Sequence, residues 1–346
     1  MSILSGVSDF FGLDIGTTAI RVVELSGSGS VRTLLKYAYV PIDSRLAVSD
    51  SQADQSAVAQ AIRDLLLQAR ISTRNVAVGL PSQRIFTTVV DIDRLQPDEL
   101  GQSIRLQADS IIPTPLEESK IDWALLGDSP KDKNKVEVLL TSVTNDLIEK
   151  RLDVLESIGL NVIAFEPDNL ALARAVFAPD AAMPQMVIDI GNKATDIVVS
   201  YNGAPRLTRS VPTGSETIVR AAMQNLGIDQ KQAEQFVYKF GISQTKLEGQ
   251  VYQAIIGTVD ILIGEIDKSI KFFASRYPDT KMDRIIVTGA ASTLPEFPLY
   301  LANKFALNVE IGNAWRNVAF RPDQQGDLLA ISSHFGVAVG LAERAE

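Results

Sequence analysis

The chain contains no cysteine, which excludes disulfides and thiolate metal sites. Its single histidine, His334, also rules out most imidazole-rich metal centres and reads as a packed or surface side chain. A cysteine-free chain suits a reducing compartment. Basic excess is missing too. Against 42 acidic residues stand 33 Lys and Arg, for a net charge of −9, which argues against nucleic acid as a general partner. No apolar run reaches the roughly 20 residues of a membrane span. The nearest, "AIIGTVDILIGEI", is interrupted by Asp260 and Glu265 and suits a buried amphipathic helix. The opening "MSILSGVSDFFGLDIG" lacks the basic and long apolar regions of a signal peptide. The chain therefore reads as cytoplasmic, with any membrane association supplied by a partner. Aromatics are scarce, and Trp123 and Trp315 stand alone, as core or interface residues do.

The 346 residues are 46% hydrophobic, enough for two domains with large cores. "FFGLDIG" reads as a strand ending at Asp14 and Gly16, with "AIRVVEL" as its hairpin partner and "VRTLLKYAYVPI" as a third strand. A helix at "QSAVAQAIRDLLLQAR" and a buried strand at "NVAVGLP" follow. From about 82 to 160 lies a mixed segment with a helix at "PDELGQSIRLQADSIIP" and the charged tip "GDSPKDKNK". The strand "VEVLLTSV" and the helix "NDLIEKRLDVLESIG" complete it. "NVIAFEP" and "DNLALARAVF" close the first half, and "APDAAMP" is a linker.

The second half repeats this grammar. "QMVIDIG" and "TDIVVSY" form a hairpin, Asn202-Gly203 marks a tight turn, and "APRLTRSVPTG" is a third strand. Helices follow at "SETIVRAAMQNLG", "QKQAEQFVYKFG" and over 246–277. "DRIIVTGAAS" is a strand entering a small-residue loop, and the chain ends in helix. Asp14 and Asp189 stand 175 residues apart, about half the chain, so an α/β unit is duplicated.

Each copy ends a strand in a carboxylate, a glycine and small polar residues: Gly16-Thr17-Thr18 in one, Gly191-Asn192-Lys193-Ala194-Thr195 in the other. Such turns converge backbone N–H groups on an anion, and glycine permits close approach. Two of them facing across a cleft would clamp a polyphosphate. Asp14 and Asp189 would meet its Mg²⁺ through retained waters. Thr17, Thr18 and Thr195 either donate to phosphate or bond their own turns. Lys193 either reaches the terminal phosphate or points to solvent. Arg21 reads as an outward strand residue needing no ligand, and Asp196 as a residue orienting the turn.

The paired turns resemble the two phosphate motifs of the actin, Hsp70 and sugar-kinase superfamily. "IIVTGAAS" resembles its adenosine motif, with Ala290 and Ala291 after Gly289 where many members carry further glycines. "FEPDNLALARA" and "FGVAVGLA" match its two connecting helices, whose small residues allow a close crossing. In order of parts the whole chain resembles the PilM family of type IV pilus assembly proteins, relatives of the division protein FtsA.

That resemblance implies an actin-like ATPase fold, two RNase H-like halves flanking a nucleotide cleft, with an FtsA-like inserted subdomain. The halves would be 1–185, with the insert at about 82–160, and 186–346, with a helical subdomain at about 227–281. The C-terminal helix would pack back on the first half. ATP and Mg²⁺ are the implied ligands, with slow or no hydrolysis. Gly289, Ala290 and Ala291 would contact the nucleoside, Glu234 the ribose, and Glu166 would orient water.

The implied role is a scaffold at the inner face of the membrane. It would hold the cytoplasmic N-terminal peptide of the membrane protein PilN, contact other pilus or secretion components and self-associate. "SQRIFTTVVDIDRL" is a candidate groove wall. A sugar kinase of the same superfamily, with Asp168 as general base, is the alternative, although zero cysteines and one histidine argue against its zinc-bearing branch. An FtsA-like division protein is a third reading, disfavoured because "GLAERAE" is not followed by an amphipathic membrane helix.

Overall fold

The computed structural model describes residues 9–178 and 181–345. The leader reading of residues 1–8 and the middle of the linker read at 178–184 lie outside them. The first half opens with β1 (Phe11–Ile15), β2 (Ala19–Ser26) and β3 (Arg32–Pro41). It continues with a short helix the sequence reading lacked, α1 (Ser44–Val48), then α2 (Gln52–Ala69) and β4 (Asn75–Leu80). The insert carries β5 (Ile85–Asp93), α3 (Pro97–Ile111), β6 (Ser119–Asp128) and β7 (Lys135–Thr144). The half closes with α4 (Asn145–Glu156), β8 (Asn161–Pro167) and α5 (Asp168–Val176).

The second half begins with β9 (Gln185–Ile190), β10 (Thr195–Tyr201) and β11 (Ala204–Val211). Helices α6 (Ser215–Leu226), α7 (Gln230–Phe240) and α8 (Gln250–Arg276) follow, then β12 (Arg284–Thr288). Its last elements are α9 (Phe297–Phe305), β13 (Asn308–Ile311), β14 (Val318–Ala319) and α10 (Gln325–Ala342). The sheet orders are β14-β3-β2-β1-β4-β8 and β11-β10-β9-β12-β13. Without the edge strand β14 they are the same sheet, antiparallel hairpins followed by parallel strands. This is the duplication read from the two Asp-Ile-Gly turns. Asn202 and Gly203 both take positive φ, as the tight turn between β10 and β11 requires.

Local chemistry sets the helix ends. Ser51 accepts from the Asp54 N–H at the start of α2, and α7 opens on a capping box formed by Asp229 and Gln232. The insert has its own core, with Ile92 and Val138 of its sheet packed on Leu100, Ile104 and Ala108 of α3. Leu155 and Leu160 instead join Ile62, Leu65 and Val78 in the core of the first half. The independent core thus closes near Thr144, short of the expected 160, because the apolar face of α4 turns toward α2. Likewise α7 and α8 share one core with Ile188, Ile197 and Val287 of the second sheet, and the segment 227–281 has none of its own.

Two helices sit between the sheets. α5 leaves the first half yet packs on β9, β10 and β11, while α10 leaves the second half and packs on β1, β2 and β4. Their crossing is as close as backbones allow. A Cβ on Gly340 would overlap the Ala171 carbonyl, and one on Gly336 would overlap Leu172. Gly340→Ala is therefore expected to lower unfolding free energy by about 1–3 kcal/mol in denaturant titration. Gly257→Ala on α8, where a Cβ meets nothing, should raise it by about 1 kcal/mol or less. Equal effects at the two sites would contradict the crossing.

Candidate functional site

Parallel strands deliver their C-terminal ends to one place. Asp14 lies near the end of β1, Asp189 near the end of β9, and Asp168 begins α5 directly after β8. Asp196, on β10, is the cross-strand partner of Asp189. Asp14 is buried, and the other three keep some solvent access while ringed by protein. Arg21 of β2 completes the group, with Nη1 3.0 Å from Oδ2 of Asp14.

The electrostatics follow from crowding. Burial pushes the Asp189 carboxyl up to about 7, and the neighbouring charges of Asp196 and Asp14 push the same way. Asp196 rises to about 6 through burial, opposed by the hydroxyls of Ser210 and Ser82. Asp168 stands well above the usual carboxylate range, first from burial and then from Asp14 and Asp196. Asp14 is raised by burial against the pull of Arg21. Each copy's carboxylates thus act on those of the other. Buried oxygens Oδ1 of Asp168, Oδ1 of Asp196 and Oδ1 of Asn169 have no hydrogen-bond partner. Among the described residues no three acidic or imidazole groups could hold a metal ion directly. A hydrated Mg²⁺ fits this arrangement, since its waters would donate to those oxygens while its charge favours the ionised carboxylates.

The other expected residues divide. The Gly16 N–H donates to the Ala19 carbonyl to close the first turn, with Thr17 half-buried and Thr18 exposed above it. Carbonyls of Gly191 and Asn192 accept from Ser215 and Glu216, which fixes the second turn to the start of α6. Gly289 has φ +83°, and a Cβ there would strike Asp189 Oδ1 and the Ile190 carbonyl. The adenosine-like loop thus packs directly on the second turn, with Ala290 half-buried at its surface.

The remaining candidates take the following places. Thr195 Oγ1 donates to the Thr213 carbonyl at 2.6 Å and serves its own turn. Lys193 pairs with Glu216 at 2.7 Å. Ala291 is fully buried in the second-half core. Glu234 is exposed on α7 and accepts from Gln230 at 3.0 Å. Glu166 is buried away from the cluster, both oxygens held by Arg174 and one also by Arg344. Arg21 points inward at Asp14, not outward, because β1 pairs Asp14 with Arg21 on one face. Asp196 belongs to the cluster for the same reason. A seven-residue cross-strand offset, visible in both copies, is the signal that marks these two.

A second concavity lies elsewhere. A groove of about 960 Å³ runs between the insert, the first half and the β10–β11 turn of the second half, lined among others by Ile121, Leu125, Leu139, Val143, Phe165 and Pro205. Its walls are β6 and β7. Of the candidate wall Ser82–Leu95 only Ile85 reaches it.

The family model described as type IV pilus assembly protein PilM matches residues 12–346. The chain belongs to the PilM family. It is 26% identical to a chain of the solved PilM-PilN type IV pilus biogenesis complex, over 96% of this chain and 97% of that one, with a TM-score of 0.81. It is 23% identical to cell division protein FtsA of Neisseria meningitidis serogroup B, over 86% of this chain and 80% of that protein. MreB5 of Spiroplasma citri bound to ADP shares the actin-like fold, at 12% identity over 96% and 95% of the two chains and a TM-score of 0.57.

The raised carboxyls make stability depend on pH. A group whose folded pKa lies above its unfolded value stabilises at low pH, and that contribution is lost as pH climbs from about 4 through 7. Asp189→Asn should therefore raise the melting temperature of nucleotide-free protein at pH 8, where it removes a charge beside Asp196. At pH 5, where Asp189 is already protonated, the gain should largely vanish. Equal shifts at both pH values would contradict this electrostatic picture.

Proposed function

We propose that this PilM-family protein is a nucleotide-binding scaffold of pilus assembly that holds an extended peptide from a PilN-like membrane partner. The observation that carries the peptide reading is the groove. Apolar side chains line much of it beside charged ones, and among the described residues β6 on its wall is paired only with β7. An unpaired strand edge beside an apolar trough offers main-chain hydrogen bonds and side-chain pockets to an added strand. Glu166, Arg174 and Arg344 form a charged network on its lining. No helix among the described residues is long and apolar enough to cross a membrane. The partner would therefore supply the membrane attachment, at the inner face.

The cleft is the nucleotide half of the proposal. Asp14 and Asp189 would hold Mg²⁺ through water, with Asp168 and Asp196 adding negative charge around it. Backbone of the Gly16 and Gly191 turns would receive the phosphates, and the Gly289 loop the nucleoside. Bound Mg²⁺ would neutralise the polyphosphate. The chain's own residues would orient it and exclude bulk water. Three units follow: the two halves, and an insert closing near Thr144. Family membership argues against the kinase alternative, although Asp168 does sit in the cluster.

A synthetic peptide of the partner's cytoplasmic N-terminus tests the groove. At a hundredfold excess over Kd it should stabilise the fold by about 2.7 kcal/mol, read as a raised melting temperature. Leu125→Glu, at a solvent-exposed groove position, should abolish the rise without unfolding the protein. A rise unaffected by that substitution would move the peptide elsewhere.

A further inference from the structure

The duplicated hairpins permit an internal comparison of charge. In the second copy Asp189 faces Asp196 across β9 and β10. In the first copy Asp14 faces Arg21 across β1 and β2, at the same seven-residue offset. One position of a symmetric four therefore carries a base where its counterpart carries an acid. Among the described residues, Arg21 is the one cation ion-paired with Asp14, Asp168, Asp189 or Asp196. Its side chain is only 13% exposed, and Nη1 also donates to the Ala19 carbonyl at 3.4 Å, within the first turn itself.

A cross-strand ion pair stabilises many hairpins. This one differs in its surroundings. The guanidinium lies beneath the turn that would receive phosphate, where a Cβ on Gly16 would touch its Nη1. It is bonded to a carboxylate assigned to the metal, while nearby buried oxygens of Asp168 and Asp196 remain without donors. Arg21 is ion-paired with one of the acids, while Asp168 feels the charge of Arg151 without an ion pair. Its field reaches Asp189 and also His334 on α10. It thus already lies in the electrostatic centre that a cation would take.

We propose that Arg21 is the resident counter-ion of the cleft, neutralising Asp14 while nucleotide is absent and yielding that carboxylate when a metal-bound polyphosphate enters. This rests on the nucleotide reading above. Free divalent metal then faces a guanidinium on its best ligand, and like charge excludes it. A metal arriving with polyphosphate brings anionic oxygens that give the guanidinium a new partner, so metal and nucleotide enter together. No covalent step is involved.

Mn²⁺ binding without nucleotide, followed by electron paramagnetic resonance, tests the exchange. Arg21→Met keeps the aliphatic stem and removes the charge. It should bind Mn²⁺ at least about tenfold more tightly than wild type. Arg21→Lys keeps a charge and should remain as weak as wild type, which separates charge from packing. Near-ultraviolet circular dichroism checks that both variants fold. If Arg21→Met gains no Mn²⁺ affinity, or wild type already binds as tightly, the counter-ion assignment is overturned. Mg·ATP titration of the wild type runs in parallel. Binding there with no Mn²⁺ gain in Arg21→Met sinks the exchange alone, whereas a gain without ATP binding keeps the counter-ion and removes the nucleotide reading.

Discussion

Four carboxylates brought within one another's fields are what the rest of this molecule is built around. Asp14, Asp168, Asp189 and Asp196 gather at the strand ends of two matching sheets, and among the described residues Arg21 is the cation ion-paired with them. Left in water each would ionise near its ordinary value. Here burial raises all four, taking Asp189 to about 7 and Asp196 to about 6. A fold gains nothing in stability from such an arrangement. On the nucleotide reading proposed above, its use would be to receive a cation, because a divalent charge would convert the repulsion into attraction.

Two connecting helices keep that arrangement in place. α5 begins with Asp168 in the cluster and carries Arg174 to the groove. α10 bonds the adenosine-like loop through the Ser333 carbonyl, which accepts from Gly289 and Thr288, and ends at Glu343 and Arg344 beside the groove. Each helix belongs to one half in sequence and packs on the sheet of the other. A second tie joins the insert to the second half. Buried Glu137 of β7 accepts from Arg206 of β11, from Arg276 of α8 and from the Tyr277 hydroxyl. Removing one partner of such a network leaves an uncompensated buried charge. Continuous packing and hydrogen bonds therefore join the groove, the strand-end cluster and the insert.

Much of this was legible in the sequence because it is local. Strand–turn–strand units with Asp, Gly and small polar residues name themselves, and so does the Asn202-Gly203 turn. Glycines in α10 foretold the close crossing. What escaped was set by pairing across distance. Arg21 looked like an outward residue until its register with Asp14 was known, and Glu166 looked like a cleft carboxylate until Arg174 and Arg344 claimed it. Thr195 had two chemically reasonable partners, and its own turn won. The insert boundary slipped because the apolar stripe of α4 fits either neighbour, and only packing chooses. The walls of the groove, β6 and β7, come together through a hairpin whose free edge no periodicity reveals.

The claim that a cation is what the cluster awaits is tested most directly by counting protons. Mg·ATP is titrated into the protein at pH 7 in two buffers of different ionisation enthalpy. Entry of the metal should drive protons off Asp189 and its neighbours, releasing on the order of half a proton to one per site occupied. Binding with no proton release, or no binding at all, would contradict the account.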